Sequence, residues 1–256
     1  YWLQGLARAI AGSDIVVAPQ ELQCMTVPYL WLRRARVCKT WVWWGHGYNF
    51  QASVRPSVLT TMKERLKEFV TRRGDGLITY TASGTSYWRT CGAPEGWATP
   101  YYNTIDVKEL QRAHAAISET QRMELRRKLM VEGKRVLLFS GRLYTEKKVD
   151  FLLRAYARLK TSCPNVALLI LGDGDERERL HQLAKELEVQ DIHFLGEVVD
   201  PKGTAGYFSI ADLLVIPGLV GLAIVHGFAF GLPLVTTDFP GHSPEIEYLN
   251  ESNGIM

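Results

Sequence analysis

Cysteine is sparse. The four residues Cys24, Cys38, Cys91 and Cys163 stand far apart and form no CxxC pair. That spacing argues against a zinc site or a dense disulfide framework and favours a reducing cytosol. No apolar run reaches the roughly 20 residues that a helix needs to span a bilayer. The chain opens Tyr1-Trp-Leu-Gln4, without a charged start before an apolar run, so no signal peptide is expected. Also missing are a GxGxxG after the first clear strand, a GxxxxGK[ST] loop, an HExxH pair and a GxSxG elbow. These absences remove the support for a dinucleotide oxidoreductase, a phosphate-loop ATPase, a zinc hydrolase or an elbow-type serine hydrolase. There is no internal repeat, low-complexity tract or heptad array.

What is present fits an ordinary globular protein. The 256 residues are 46% hydrophobic and 22% charged, enough for one large domain or two of usual size. The net charge of +3 conceals an asymmetry. Residues 1–132 hold 18 Lys and Arg against 11 Asp and Glu, a net of +7, while residues 133–256 hold 12 against 16, a net of −4. A basic half beside an acidic half predicts different tasks, the basic one facing phosphate-bearing partners or an anionic membrane surface. Its densest patch, Arg33-Arg34-Ala-Arg36-Val-Cys-Lys39, reads equally as a solvated helix end.

Strands alternate with helices along the chain. In the second half, Arg135–Ser140, Val166–Leu171, Ile192–Leu195, Ala211–Ile216 and Leu234–Thr237 are short apolar runs with the look of buried parallel strands. Between them, Val149–Lys160, Glu176–Leu187 and Gly221–Phe230 carry helical spacing. The first half is looser, with strands at Asp14–Ala18, Thr40–Trp44 and Gly76–Tyr80. A helix over Ser57–Thr71 has Val58, Met62, Leu66 and Phe69 or Val70 spaced for one face. A charged helix is expected from Val107 to about Glu132. The pattern predicts right-handed βαβ units and an α/β, doubly wound architecture. The domains expected are 1–106, a linker helix region 107–132, and 133–256. Neither half shows six strands, so both sheets are expected to be partial.

Ligands of open parallel sheets bind at the carboxyl ends of the strands. There the loop Ser140–Lys148 places Arg142 and Lys147 between a strand and a helix, either as a diphosphate receptor or as partners in surface salt bridges. Gly172-Asp-Gly174 is a close backbone approach to a ligand or a plain tight turn. Asp173-Gly-Asp175 has the form of a metal-binding DxD, but it opens an acidic helix where carboxylates suit the dipole. His46, in Trp43-Trp-Gly-His-Gly-Tyr48, is accessible between glycines and is either a ligand-facing or a structural histidine. The smooth segment Pro217–Pro233 carries one ionisable side chain, His226, and is either a core helix or the floor of a ligand site.

Six motifs in order, Gly141-Arg-Leu-x-x-x-Lys147, Leu169-Ile-Leu-Gly-Asp-Gly174, Phe194-Leu-Gly196, Ala211–Pro217, Gly231-Leu-Pro233 and Pro244-Glu245…Asn253-Gly254, carry a resemblance. Together they resemble the family 4 glycosyltransferases of the GT-B fold, retaining enzymes with nucleotide-sugar donors. The resemblance implies two Rossmann-like domains facing across a cleft. It implies that Arg142 and Lys147 neutralise the donor diphosphate beside Gly141, helped by backbone N–H groups of Gly221, Leu222 and Ala223. The nucleobase would lie near Gly172, Gly174, Phe194, Leu195 and Gly196. His46 would line the donor sugar pocket, and Glu245 would be the remaining carboxylate there. No bound metal or cofactor would be needed. The partners would be a UDP- or GDP-sugar and a glycan or lipid-linked acceptor, not nucleic acid. The location would be cytoplasmic, with peripheral contact at an anionic inner membrane face.

One departure stands out. The family carries two glutamates separated by seven residues, and those positions here are Gly218 and His226. An imidazole can still hydrogen-bond a ribose hydroxyl. A sugar-nucleotide epimerase and a non-catalytic nucleotide- or glycan-binding protein are the competing expectations.

Overall fold

A computed structural model describes residues 3–21, 24–47 and 57–256. Tyr1, Trp2 and Tyr48, named above, lie outside the described residues. The chain divides into two units, Tyr1–Asn103 and Thr104–Met256. Among the described residues, no helix is long and apolar enough to cross a membrane.

The first unit runs α1 (Leu6–Ala9), β1 (Ser13–Pro19), α2 (Thr26–Leu32), β2 (Cys38–Gly45), α3 (Val58–Thr71), β3 (Gly76–Thr79), α4 (Ala82–Thr90) and β4 (Ala98–Pro100). Its four strands are parallel and lie in chain order. Strand β1 alternates as a half-covered strand should: Val16 and Ala18 are buried, Ile15 and Val17 exposed. The core is rich in indole, with Trp41, Trp43 and Trp88 fully buried and the first two meeting edge to face at 5.4 Å. Helix α3 starts where expected, because the Ser57 hydroxyl accepts from the Thr60 N–H. Its expected apolar stripe enters this core only at its Val70 end. Val58, Met62, Leu66 and Phe69 are exposed, and the helix buries only Val70 and Thr71 in its last turn. The basic patch closes α2: Arg33 lies over Tyr29 and Arg34 over Trp31, positive charge at a helix C-terminus.

The second unit contains α5 (Val107–Ala115), α6 (Glu119–Lys128), β5 (Arg135–Ser140), α7 (Val149–Ser162), β6 (Val166–Leu171), α8 (Arg177–Glu186) and β7 (Ile192–Gly196). It continues with α9 (Pro201–Ser209), β8 (Leu213–Val215), α10 (Ala223–Ala229), β9 (Leu234–Val235) and β10 (Gly254–Ile255). The single charged helix expected over 107–132 is two helices. Ser118 and Gln121 form a reciprocal capping box that starts α6 afresh. Leu110 and Val131 from this region are buried in the second core, so the expected linker packs as part of this unit.

The sheet order is β10-β9-β8-β5-β6-β7, all parallel. The expectation of fewer than six strands fails for this half, since Gly254–Ile255 pairs with Leu234–Val235 as the sixth. That pair is too short to produce a periodic signal. Every residue of β6, Val166 to Leu171, is buried, as a central strand covered on both faces requires. Burial of each such aliphatic side chain contributes about 1.5–3 kcal/mol. Because chain order reverses between β5 and β8, the loops leaving those two strands diverge to opposite faces and open a crevice between them.

Candidate functional site

At this reversal point the loop after β5 (140–148) meets the loop after β8 (216–222). Lys147 ends a single helical turn, Thr145–Lys147, and its side chain turns inward. It is only 6% exposed. Its ammonium donates to the Leu219 carbonyl at 2.6 Å, with the Val220 carbonyl at 3.4 Å, from a loop 72 residues further along the chain. Among the alternatives left by the sequence, the surface salt bridge is therefore not the one found. Burial lowers the Lys147 pKa to about 8, because two carbonyl dipoles do not replace full hydration of the charge.

The two loops are also joined through backbone, the Leu219 N–H donating to the Glu146 carbonyl at 2.9 Å. This approach explains Gly218. A Cβ there would lie 2.0 Å from the Glu146 oxygen, so the position that carries a glutamate in the resemblance has no room for a side chain in this loop shape. Among the described residues, the N–H groups of Gly221 and Leu222 donate no hydrogen bond, although their carbonyls accept. Gly221 has φ +58, and Leu222 and Ala223 lead directly into α10.

A cavity of about 300 Å³ adjoins this crevice, lined among others by Gly141, Arg142, Gly172, Asp173, Glu197 and His226. Four of these are residues expected from the sequence. Arg142 is exposed, and among the described residues no carboxylate pairs with it. His226 projects from α10 and is half-buried, and burial lowers its pKa, so it is neutral at pH 7. Asp173 is committed elsewhere: it bonds Arg177 and accepts from the Gly174 N–H at 2.7 Å. Among the described residues, no group of three His, Cys, Asp or Glu could hold a metal ion.

The glycines after β6 have a cause internal to the fold. A Cβ on Gly172 would lie 2.0 Å from the Gly141 carbonyl oxygen, and one on Gly174 would lie 2.5 Å from that of Leu143. The loops after β5 and β6 thus run side by side, joined by Gly141 N–H to Leu171 O and Leu143 N–H to Asp173 O. Phe194, Leu195 and Gly196 end the edge strand β7. The Phe194 ring stacks on His181 at 3.9 Å, and the Gly196 carbonyl accepts from Gly172 N–H. Glu245 is 2% exposed, in the turn Pro244–Tyr248. His46 belongs to the first unit, where its ring lies 4.3 Å from that of Tyr80.

Sequence reasoning missed His242. It is 6% exposed, and its Nδ1 accepts the Val220 N–H at 3.3 Å. Its Nε2 lies 2.8 Å from the Thr237 carbonyl, so the proton sits on Nε2 and donates there. Thr236 and Thr237 add hydroxyl bonds to the Ile216 and Pro217 carbonyls. The only local signal was a histidine two residues before Pro244-Glu245, at the end of a strand run.

Residues 121–256 match the family model described as Glycosyl transferases group 1. An uncharacterized glycosyltransferase of Methanocaldococcus jannaschii is 30% identical over 167 residues, 63% of this chain and 41% of the relative. Alpha-monoglucosyldiacylglycerol synthase of Streptococcus pneumoniae is 30% identical over 140 residues, 53% of this chain and 31% of the relative. The chain thus spans well under half the length of the curated relatives it matches. Among solved structures, Anabaena HepE in complex with UDP and glucose superposes with a TM-score of 0.73 at 18% identity, covering 98% of this chain and 66% of that one. WaaG, a glycosyltransferase involved in lipopolysaccharide biosynthesis, gives 0.63 at 18% identity, covering 89% and 68%. These likenesses support the GT-B fold.

Proposed function

The chain belongs to the group 1 glycosyl transferases, and on that premise we propose that it moves a sugar from a UDP- or GDP-linked donor to a glycan or lipid-linked acceptor, with retention of anomeric configuration. One observation carries the reading. A buried ammonium, Lys147, is fixed at the reversal point of the second sheet, beside the N–H groups of Gly221 and Leu222, which donate no hydrogen bond among the described residues. When a sugar leaves a nucleotide diphosphate, negative charge grows on the departing phosphate oxygen. Donors already oriented towards that charge lower the barrier, because they need not reorganise as the bond breaks.

In this reading Lys147, Arg142 and the backbone of Gly221–Ala223 meet the diphosphate. The backbone near Gly172–Gly174 and Phe194–Gly196 frames the base, and neutral His226 hydrogen-bonds a ribose hydroxyl. Gly218 leaves sugar recognition to groups other than the usual glutamate, with Glu245 as the proposed contributor within the second unit. HepE binds UDP and glucose, and the streptococcal relative is named for a glycolipid; both support the donor and acceptor classes. The basic character of the first half supports peripheral contact with an anionic membrane, which flotation with anionic liposomes tests.

Thermal-shift and calorimetric titration against UDP, GDP and their hexose conjugates test the donor assignment. Stabilisation by one nucleotide, reduced about 10- to 100-fold in affinity by Lys147→Met, is expected for loss of a charged hydrogen-bond donor. Binding unaffected by that substitution would sink the reading.

A further inference from the structure

We infer that His242 is a positioning residue for the anion site: its neutral imidazole clamps the Val220 N–H, and so sets the shape of the loop that holds Lys147. The inference rests on the reading of Lys147 given above, but its geometry is independent of any ligand. The loop 216–222 is held from two sides. On one side are Glu146 and Lys147, through the Leu219 N–H and the Leu219 carbonyl. On the other is the segment after β9, through Thr236 to Ile216, Thr237 to Pro217 and His242 to Val220. Val220 is fully buried, so its N–H has no water to turn to. Without His242 it would be an unsatisfied buried donor, which costs about 1–3 kcal/mol.

The bridging role requires one protonation state. Nδ1 must be bare to accept from Val220, while Nε2 must carry the proton it gives to Thr237. A second proton on Nδ1 would set two N–H donors against each other and expel the loop. Beyond burial, the Thr237 carbonyl that accepts from the ring and Asp238 favour protonation, and Lys147 opposes it. Phe239 meets the ring edge to face at 5.6 Å, and the Lys148 ammonium lies over the Phe239 ring at 6.0 Å. Burial is the largest influence and holds the imidazole below its ordinary pKa of 6.5. Protonation would therefore move Leu219 and Val220, whose carbonyls fix the ammonium, and would disorder the Gly221 and Leu222 amides proposed to meet the diphosphate.

The test has a ligand-free arm and a ligand arm. In the first, NMR of the full chain follows the His242 ring nitrogens and the Val220 amide across pH 4.5–8. The Nε2–H tautomer is expected, with Val220 exchange protection lost in step with His242 protonation. The other tautomer, or an amide insensitive to that titration, overturns the clamp whatever the nucleotide result. In the second, UDP and GDP affinities are measured across the same range for wild type, His242→Ala and His242→Asn. The Ala variant should bind about tenfold more weakly or worse. The Asn variant, whose carbonyl oxygen can replace Nδ1, should recover most of the affinity at pH 7.5 and lose the acid-side fall. Wild-type-like binding by the Ala variant, or an unchanged acid limb in the Asn variant, would overturn the role. Failure of the wild type to bind any nucleotide would instead refute the donor assignment, leaving the clamp to be decided by the first arm.

Discussion

The two parallel sheets share a construction principle but differ in order, and among the described strands only those of the second reverse chain order. In the first unit the four strands follow one another in chain order. Each crossover moves the same way, so neighbouring loops stay on the same side. In the second unit order reverses between β5 and β8, and the loops leaving those strands part. The chain then fills the gap with its own backbone, and Lys147, Gly218 and His242 are the residues that allow this. A second difference is depth. Strand β6 is buried along its whole length, whereas β1 exposes Ile15 and Val17. The second sheet is thus the more deeply packed, and the candidate site described above lies at its reversal point.

The largest test of that contrast is packing. Leu169→Ala should cost about 2–5 kcal/mol, because a fully buried leucine leaves a cavity that its neighbours cannot close. Val17→Ala on the exposed face of β1 should stay within about 0.5 kcal/mol. Urea unfolding monitored by hydrogen exchange in each unit separates the two, and equal costs would erase the contrast. Next in size is Gly218→Ala, expected to destabilise by about 1–3 kcal/mol, since its Cβ would sit 2.0 Å from the Glu146 oxygen. Because the strain lies between the two loops, Val220 exchange should rise while the first unit is unaffected.

The pH dependence sharpens the comparison further. His114, His193, His226 and His242 all lie in the second unit, and burial lowers each below 6.5. Protons then bind the unfolded form better, so the stabilising effect of neutrality is complete above pH 6.5 and is lost as pH falls towards the folded values. Thermal scans from pH 7.5 to 5 should show a falling transition for this unit. Nucleotide affinity should fall at the opposite end. Lys147 titrates near 8 in the free protein, so binding that requires the ammonium weakens by up to about tenfold per unit above that pH. The smallest effect is Arg142→Ala, a solvated cation whose loss should weaken nucleotide binding by about 1 kcal/mol or less. A loss as large as that of Lys147→Met would show that the exposed arginine is organised by the ligand.

Much of this was legible in local pattern. The strands Arg135–Ser140 and Val166–Leu171 appear with their bounds unchanged, because an uninterrupted apolar run between turn residues is how a strand covered on both faces is written. Lys147 and His226 were legible as candidates from their place after strands. What local pattern could not supply was environment. Nothing near Lys147 announces that carbonyls 72 residues away would hold it. The stripe on α3 has helical spacing, and yet only its Val70 end is buried. Two-residue strands such as Gly254–Ile255 carry no period at all.

Sequence alone therefore determined the alternation of strand and helix, the order of the loops that could bear chemistry, and the family resemblance. These follow from side-chain periodicity and from residues close together in the chain. Tertiary structure alone decided that Gly218 must lack a side chain, that Lys147 is buried rather than salt-bridged, and that His242 meets the Val220 N–H. Each of those depends on how closely two distant loops approach, and that distance is set by the reversal of strand order rather than by either loop's own residues.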